Sequence, residues 1–385
     1  MNDKRIKTIC VISPGYPTKN QPWFSFVDQL MCAFSDLDVE CHVISPQSIT
    51  KNIKSSKCRR PVYWERKHHN GVIKVYQPYY VSLSNLRYKD IIISDVFFEK
   101  AVINWFRKNN KKYDVIYGHF WSSGLIAAKI GNKYGIPAFV ACGESEIPYD
   151  SLKYNLKFKD LIKGVICVST KCKEESIHYG LCNQEKTVVI PNAIDNNHFF
   201  KRDKDKCRNE LGFPNDAFII SFVGYFNERK GVMRVCNAIE NIENCFAIFI
   251  GEGETAPKCK NQLFVGSLPH ELVPVYLNAA DVFVLPTLHE GCCNAIIEAM
   301  ACGLPIISSD RAFNYDILDE KNSILIDPLS INDISTSIKT LMKDSDLRKS
   351  MSDASLVKAK SLSIRNRAIR ILQFMENIIN DCEVY

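Results

Sequence analysis

Long apolar runs are missing from this 385-residue chain. No uninterrupted hydrophobic stretch reaches the length of a bilayer-spanning helix, which excludes a transmembrane segment of that kind. At the start, MNDKRIKTICVISPGYP carries basic residues, but its apolar run is only Thr8 to Ile12. That suits a first β-strand and is too short for the core of a signal peptide. Paired Cys-x-x-Cys elements are missing too. The 16 cysteines are scattered through apolar patterns such as TICVI and GVICVS, and neither Cys167/Cys172 nor Cys292-Cys293 has zinc-site spacing. They read as reduced, buried small hydrophobes of a cytosolic protein. Cys292 and Cys293 lack an obvious histidine partner for thiol catalysis. No Gly-x-Gly-x-x-Gly occurs, which disfavours a nicotinamide dinucleotide. No Asp-x-Asp run stands on the glycine-bearing and strand-end loops proposed to face a diphosphate, where it could bridge one through a metal, and no repeat of solenoid length is present.

What is present is an ordinary globular composition, with 46% hydrophobic and 24% charged residues, in a chain too long for one comfortable core. Two domains are expected. The net charge of +6 is uneven: residues 1–200 hold 28 Lys and Arg against 18 Asp and Glu, and the remainder 21 against 25. The basic half is expected to face something anionic, a membrane surface or a phosphorylated acceptor. The stretch Lys51–His69 holds seven Lys or Arg, with Tyr63 and Trp64 among them. It suits an anionic membrane interface, and equally a solvated flexible loop.

Short β-type runs alternate with helical stretches throughout, the pattern of parallel α/β sheets. Strands are expected at 8–13, 41–45, 72–75, 115–117, 138–141, 165–168 and 187–190. A second set falls at 218–223, 247–251, 263–265, 282–285, 305–308 and 324–326. Helices are expected at 24–34, 91–106 and 123–134. The polar segment from Pro191-Asn192 to Asn215 reads as an interdomain hinge. Ile364, Ala368, Ile371, Leu372, Met375, Ile378 and Ile379 share one helical face at the end of the chain.

The chemistry concentrates in LHEGCCNAIIEAMACGLPIISS. Glu290 falls on a loop after the strand DVFVLP, and Glu298 falls inside the following helix, which Gly303-Leu304-Pro305 stops. A loop feeding a helix N-terminus, here Gly291 to Asn294, offers backbone N–H groups and positive dipole to a phosphate. The flanking carboxylates suit a sugar and a ribose. In VGYFNERKGV, Gly224 permits a tight turn, and Arg229 and Lys230 put two cations at a helix start. Such cations oppose the helix dipole, so a bound anion would explain them. The carboxyl ends of the strands are the expected ligand-binding positions, with the active site in a cleft between the domains. His119 stands just past a strand in YGHFWSSG, and Glu144 and Glu146 lie in ACGESEI at the next strand end. Those two acids are expected either to bind acceptor hydroxyls or to be solvated.

The run E-G-x-x-N-x-x-x-E-A-M-A-C-G-x-P resembles the Glu-x7-Glu signature of family 4 retaining glycosyltransferases. The resemblance implies the α/β GT-B fold: two Rossmann-like parallel-sheet domains facing across a cleft, with a C-terminal helix crossing back to the first. It divides the chain into an acceptor domain, 1–195 joined by 363–385, and a donor domain, 196–362. It implies a nucleotide-sugar co-substrate, with a UDP-sugar preferred, no other cofactor, and no metal. The expected acceptor is a glycan or lipid-linked molecule in surface polysaccharide or glycolipid assembly, and no nucleic acid is expected. The expected setting is cytoplasmic, free or peripheral at the inner face of the membrane. Glu290 would orient donor-sugar hydroxyls, Glu298 would hold the ribose, and His119 would contact the sugar's far edge. Lys230 matches the family lysine, while Tyr225 occupies the family arginine position and Arg229 would substitute. IGEGE resembles the family's Gly-x-Gly loop, and FVGSLPHEL its base-contacting loop, through Ser267 and Leu268. Gly15 fits the glycine-bearing loop after strand one, where Trp23 and Phe24 replace a frequent second glycine. PNAID resembles the linker motif, with Ala193 in place of glycine. Two rival functions stay open, a GT-B nucleotide-sugar epimerase and a non-catalytic donor-binding homologue.

Overall fold

The computed structural model describes residues 5–18, 24–54, 59–69, 71–83, 86–88, 91–109 and 111–382. The chain forms two compact units, Met1–Ile190 with Arg365–Tyr385, and Pro191–Ile364. Trp23, one of the residues singled out above, lies outside the described residues.

In the first unit the strands are β1 (Thr8–Ile12), β2 (Glu40–Ile44), β3 (Gln47–Ser48), β4 (Tyr63–His68), β5 (Gly71–Tyr76) and β6 (Tyr79–Tyr80). They continue with β7 (Arg87–Tyr88), β8 (Ile91–Ile92), β9 (Val115–His119), β10 (Ala138–Cys142), β11 (Ile162–Cys167) and β12 (Thr187–Val189). The helices are α1 (Ser25–Ser35), α2 (Ile49–Lys54), α3 (Ile93–Asn109), α4 (Phe120–Tyr134), α5 (Tyr149–Leu152) and α6 (Thr170–His178). Eight strands make one sheet in the order β12-β11-β10-β9-β1-β2-β5-β4. All pairs are parallel except β4 against β5. The central strands are buried along their length, which is why TICVI and VIYGH read as continuous runs rather than alternating ones.

In the second unit the strands are β13 (Phe218–Val223), β14 (Cys245–Ile250), β15 (Gln262–Gly266), β16 (Val282–Leu285), β17 (Ile306–Ser309) and β18 (Ser323–Ile326). The helices are α7 (Lys204–Leu211), α8 (Val232–Ile239), α9 (Val273–Ala279), α10 (Asn294–Ala301), α11 (Ile331–Lys343) and α12 (Ser345–Ser361). Its sheet is wholly parallel, in the order β15-β14-β13-β16-β17-β18.

The last helix, α13 (Ile364–Cys382), returns to the first unit. Its inward residues Ala368, Ile371, Leu372, Met375 and Ile379 are buried. Each large apolar side chain so placed contributes about 1.5–3 kcal/mol. Arg367 Nη1 donates to Ile190 O at 2.7 Å, and Glu376 Oε1 accepts from Ile6 N at 2.9 Å. The shared apolar face is therefore a packing face.

Two expectations are corrected. Residues 191–215 are an integral part of the second unit and include α7. Arg208 is 1% exposed and donates to Ala279 O, Asn215 O, Ala217 O and Asp281 Oδ2. One cation of that polar run is thus the centre of a buried, satisfied network, while most of the others stay exposed. The stretch Lys51–His69 is likewise no simple loop: residues 63–68 form β4, an edge strand that alternates exposed and half-buried residues. Arg66 from β4 pairs with Asp28 of α1 at 2.5 Å. Residues 55–58 lie outside the described residues.

Candidate functional site

Strand order decides which loops meet. In the second sheet, β13 has β14 on one side and β16 on the other, so the loops leaving β13 and β16 diverge at a topological switch point. The first loop carries Arg229 and Lys230, and the second carries Glu290. Glu290 Oε1 receives Lys230 Nζ at 2.6 Å, Arg229 Nη1 at 2.9 Å and Thr287 Oγ1 at 2.8 Å. Arg229 also donates to His289 O at 2.5 Å. Burial pulls the Lys230 ammonium down, but Cys293 and Glu290 beside it win, and its pKa lies above the ordinary lysine value. Lys230 is cationic at neutral pH.

The chain reaches this geometry through Gly231, the N-cap of α8. Its φ is 78°, and a Cβ there would stand 2.8 Å from Pro286 O. Gly224 is different. Its backbone is not left-handed, and a Cβ would make only ordinary contact, 3.5 Å from Lys230 Cδ. The tight position is Gly251 of IGEGE, where a Cβ would lie 1.9 Å from Gly224 O. The turn after β13 is thus shaped by the glycine of the neighbouring loop.

Gly291, Cys292 and Cys293 are buried on the loop entering α10, and Asn192 Nδ2 holds that loop by donating to Cys292 O at 3.0 Å. The linker motif therefore braces the site loop. Cys293 is the N-cap of α10, and its side chain makes no capping hydrogen bond. Burial pushes the Cys293 thiol up, although Lys230, with Nζ 3.9 Å from Sγ, pulls it down. The net shift is upward, so the thiol stays protonated at neutral pH. Asn294 Oδ1 is buried and has no hydrogen-bond partner among the described residues. Glu298, on α10, faces His270 Nε2 at 3.4 Å. That hydrogen bond raises the His270 pKa, against the pull of burial. His270 also stacks on His198, with ring centroids 5.2 Å apart. It went unselected in the sequence, although it lies in the loop FVGSLPHEL beside exposed Ser267 and half-buried Leu268.

In the first sheet β1 lies between β2 and β9; the loop after β1 holds Gly15, and His119 ends β9 and is the N-cap of α4. A Cβ on Gly15 would fall 2.3 Å from the Phe24 ring, so this position is kept small by packing. His119 is buried against Phe26 and Phe120. Burial, helped by the charge of Arg367, lowers its pKa to about 3, so the ring is neutral. Its Nδ1 has no hydrogen-bond partner among the described residues.

Glu144 is half-buried and its carboxylate is engaged by the backbone: Oε1 accepts from Trp121 N at 2.5 Å, and Oε2 from Gly143 N at 2.9 Å. Oε1 thereby meets the first turn of α4, two residues after His119, while Oε2 stays on its own loop. Burial raises its pKa to about 7, and those backbone bonds pull the other way. Glu146 is exposed.

Comparison with known proteins follows this geometry. The family described as Glycosyltransferase Family 4 matches residues 25–198, and the family described as Glycosyl transferases group 1 matches residues 203–356. A putative teichuronic acid biosynthesis glycosyltransferase, TuaC of Bacillus subtilis (strain 168), is 28% identical over 307 residues, covering 76% of each chain. The UDP-Gal:alpha-D-GlcNAc-diphosphoundecaprenol alpha-1,3-galactosyltransferase of Escherichia coli is 25% identical over 315 residues, 74% of this chain and 79% of its own. The crystal structure of Anabaena Alr3699/HepE in complex with UDP and glucose superposes with a TM-score of 0.71 at 15% identity, covering 96% of this chain and 100% of that one.

Proposed function

The chain belongs to family 4 of the glycosyltransferases and has the GT-B fold, and from that premise we propose that it transfers a sugar from a UDP-sugar to an acceptor hydroxyl, with retention and without a metal ion. The observation that carries this reading is the convergence of Arg229 and Lys230 on Glu290 beside the start of α10. Two fixed cations and a helix N-terminus suit a diphosphate. The E. coli relative's UDP-Gal and the UDP of the Anabaena structure support uracil as the base.

As the bond from anomeric carbon to phosphate lengthens, negative charge grows on the leaving diphosphate. Lys230, Arg229 and the amides of the α10 N-terminus meet it. The sugar takes on oxocarbenium character. The acceptor oxygen bonds to the anomeric carbon on the face that the phosphate leaves, and its proton passes to a phosphate oxygen. A diphosphate that draws Arg229 and Lys230 to itself releases Glu290 for donor-sugar hydroxyls. Glu298 holds the ribose, and neutral His119 hydrogen-bonds a sugar hydroxyl. The acceptor is a glycan or lipid-linked molecule of surface polysaccharide assembly, in keeping with the two bacterial relatives. The basic first half favours work at an anionic membrane face.

Thermal shifts with UDP, GDP, ADP and CMP test the donor site. NMR of the product from UDP-glucose or UDP-galactose, before and after EDTA, tests stereochemistry and metal use. A shift with UDP, and a product of retained configuration whose formation survives EDTA, is expected. Absence of a shift with every nucleotide would overturn the reading in favour of a non-catalytic protein. Sugar conversion without acceptor would point to an epimerase.

A further inference from the structure

Two histidines lie side by side over a carboxylate at the turn joining β4 to β5. In an extended strand, neighbours such as His68 and His69 point to opposite faces. His69 instead has φ 44°, and this left-handed backbone brings its ring beside that of His68, with centroids 4.1 Å apart. Both rings meet Asp36, the C-cap of α1: His68 Nε2 stands 3.1 Å from Oδ2, and His69 Nδ1 stands 2.8 Å from Oδ1. The approach is built into the chain. A Cβ on Gly71 would fall 1.8 Å from Ser35 Oγ, so glycine is what lets the hairpin turn close on the end of α1.

We propose that Asp36, His68 and His69 bind a divalent transition-metal ion of the zinc class. One ligand atom from each residue lies within 4.8 Å of the other two. Bonds of about 2.0–2.1 Å place the ligands of a tetrahedral ion roughly 3.3 Å apart, so a small spreading of the three side chains admits one. The fourth position goes to water. Two imidazoles select zinc, nickel, cobalt or copper over magnesium and calcium, which take oxygen ligands. Asp38 and Glu40 line the same surface hollow and add negative charge, part of which is offset by Arg365, which also lines it, and by Lys74 through its 2.7 Å pair with Glu40.

The site sits at the end of the sheet where β2 and β5 begin, opposite the carboxyl end of β9 that carries His119. An ion here clamps the β4–β5 hairpin to α1 and takes no part in chemistry at His119. It is therefore compatible with metal-independent sugar transfer, and the two ideas fail separately.

The test uses the full-length protein, stripped with EDTA and dialysed, titrated with zinc chloride and with nickel chloride by calorimetry. The wild type should take up one zinc per chain and gain thermal stability. D36N and the double variant H68Q/H69Q should bind zinc at least tenfold more weakly and lose that gain. An unchanged far-UV circular dichroism spectrum and a cooperative metal-free melt show that these variants are folded. No zinc uptake by the wild type, or equal affinity in H68Q/H69Q with the metal on thiols, would overturn the proposal.

Discussion

Lys230 Nζ lies 2.6 Å from Glu290 Oε1, the same carboxylate oxygen that Arg229 reaches at 2.9 Å. The residues come from different loops, and Arg229 and Glu290 are 61 positions apart in the chain. One carboxylate thus pairs with two cations and offsets only one of their charges. On the proposed reading, donor binding exchanges that partner for phosphate oxygens.

The exchange predicts a split phenotype for Glu290→Gln. Removing the competing charge leaves Arg229 and Lys230 free, so UDP should bind at least as tightly as to the wild type. Sugar transfer should fall, because the hydroxyl-orienting carboxylate is lost. Lys230→Ala should weaken UDP binding and lower kcat/KM by about 10²–10³-fold. Calorimetry with UDP beside turnover checks both. Collapse of UDP affinity in Glu290→Gln with normal turnover would show that the carboxylate serves the nucleotide instead.

His119 supplies a pH prediction. Its folded pKa, about 3, lies below the ordinary histidine value of 6.5, so the unfolded chain takes the proton first. Stability should therefore fall as pH drops through 6.5 and continue to fall towards 3. His119→Asn has no such proton to take up and should lose less stability between pH 7 and pH 4. Urea melts across that range decide the matter, and parallel curves for the two proteins would refute it.

Arg208 and Asp281 form a buried pair, 1% and 8% exposed at the side chain, with Nη2 to Oδ2 at 2.7 Å. Asp281 Oδ2 also accepts from Ile219 N at 2.8 Å. Arg208→Ala strands a carboxylate in the second unit and should cost about 3–5 kcal/mol. An unshifted denaturation midpoint would mean that water or Lys204 replaces the guanidinium.

Gly231→Ala sets a side chain on a left-handed residue already hemmed in by Pro286 and Arg234. The expected loss is about 1–3 kcal/mol in stability, with weaker UDP binding because Lys230 is displaced. Thermal melts with and without UDP read both effects. Unaltered melts would show that the turn relaxes freely.

Much of this was legible before any coordinates. Phe218–Val223 and Val282–Leu285 are strands at the residues their sequence predicts, because a central strand covered on both faces must be apolar throughout. The edge strand YWERKH escaped notice because only one of its faces needs burial and charges occupy the other. Arg208 escaped because a buried guanidinium with all its bonds made reads, in one dimension, like any surface arginine. The roles of Glu144 and His270 depend on partners 23 and 28 residues away, and no local pattern announces them.

The sequence by itself determined the alternation of strands and helices, the helix stops at residues such as Gly303, and the presence of two cations and a carboxylate on loops, with a second carboxylate in the helix that follows, fit for a phosphate. These follow from side-chain periodicity and backbone preference, which act over a few neighbours. Only the tertiary structure decided that β13 lies beside β16, that Glu290 therefore meets Lys230, and that the turn at His69 closes on Asp36. Strand order and loop contact are set by how the whole sheet buries its surface, and that energy belongs to no single segment.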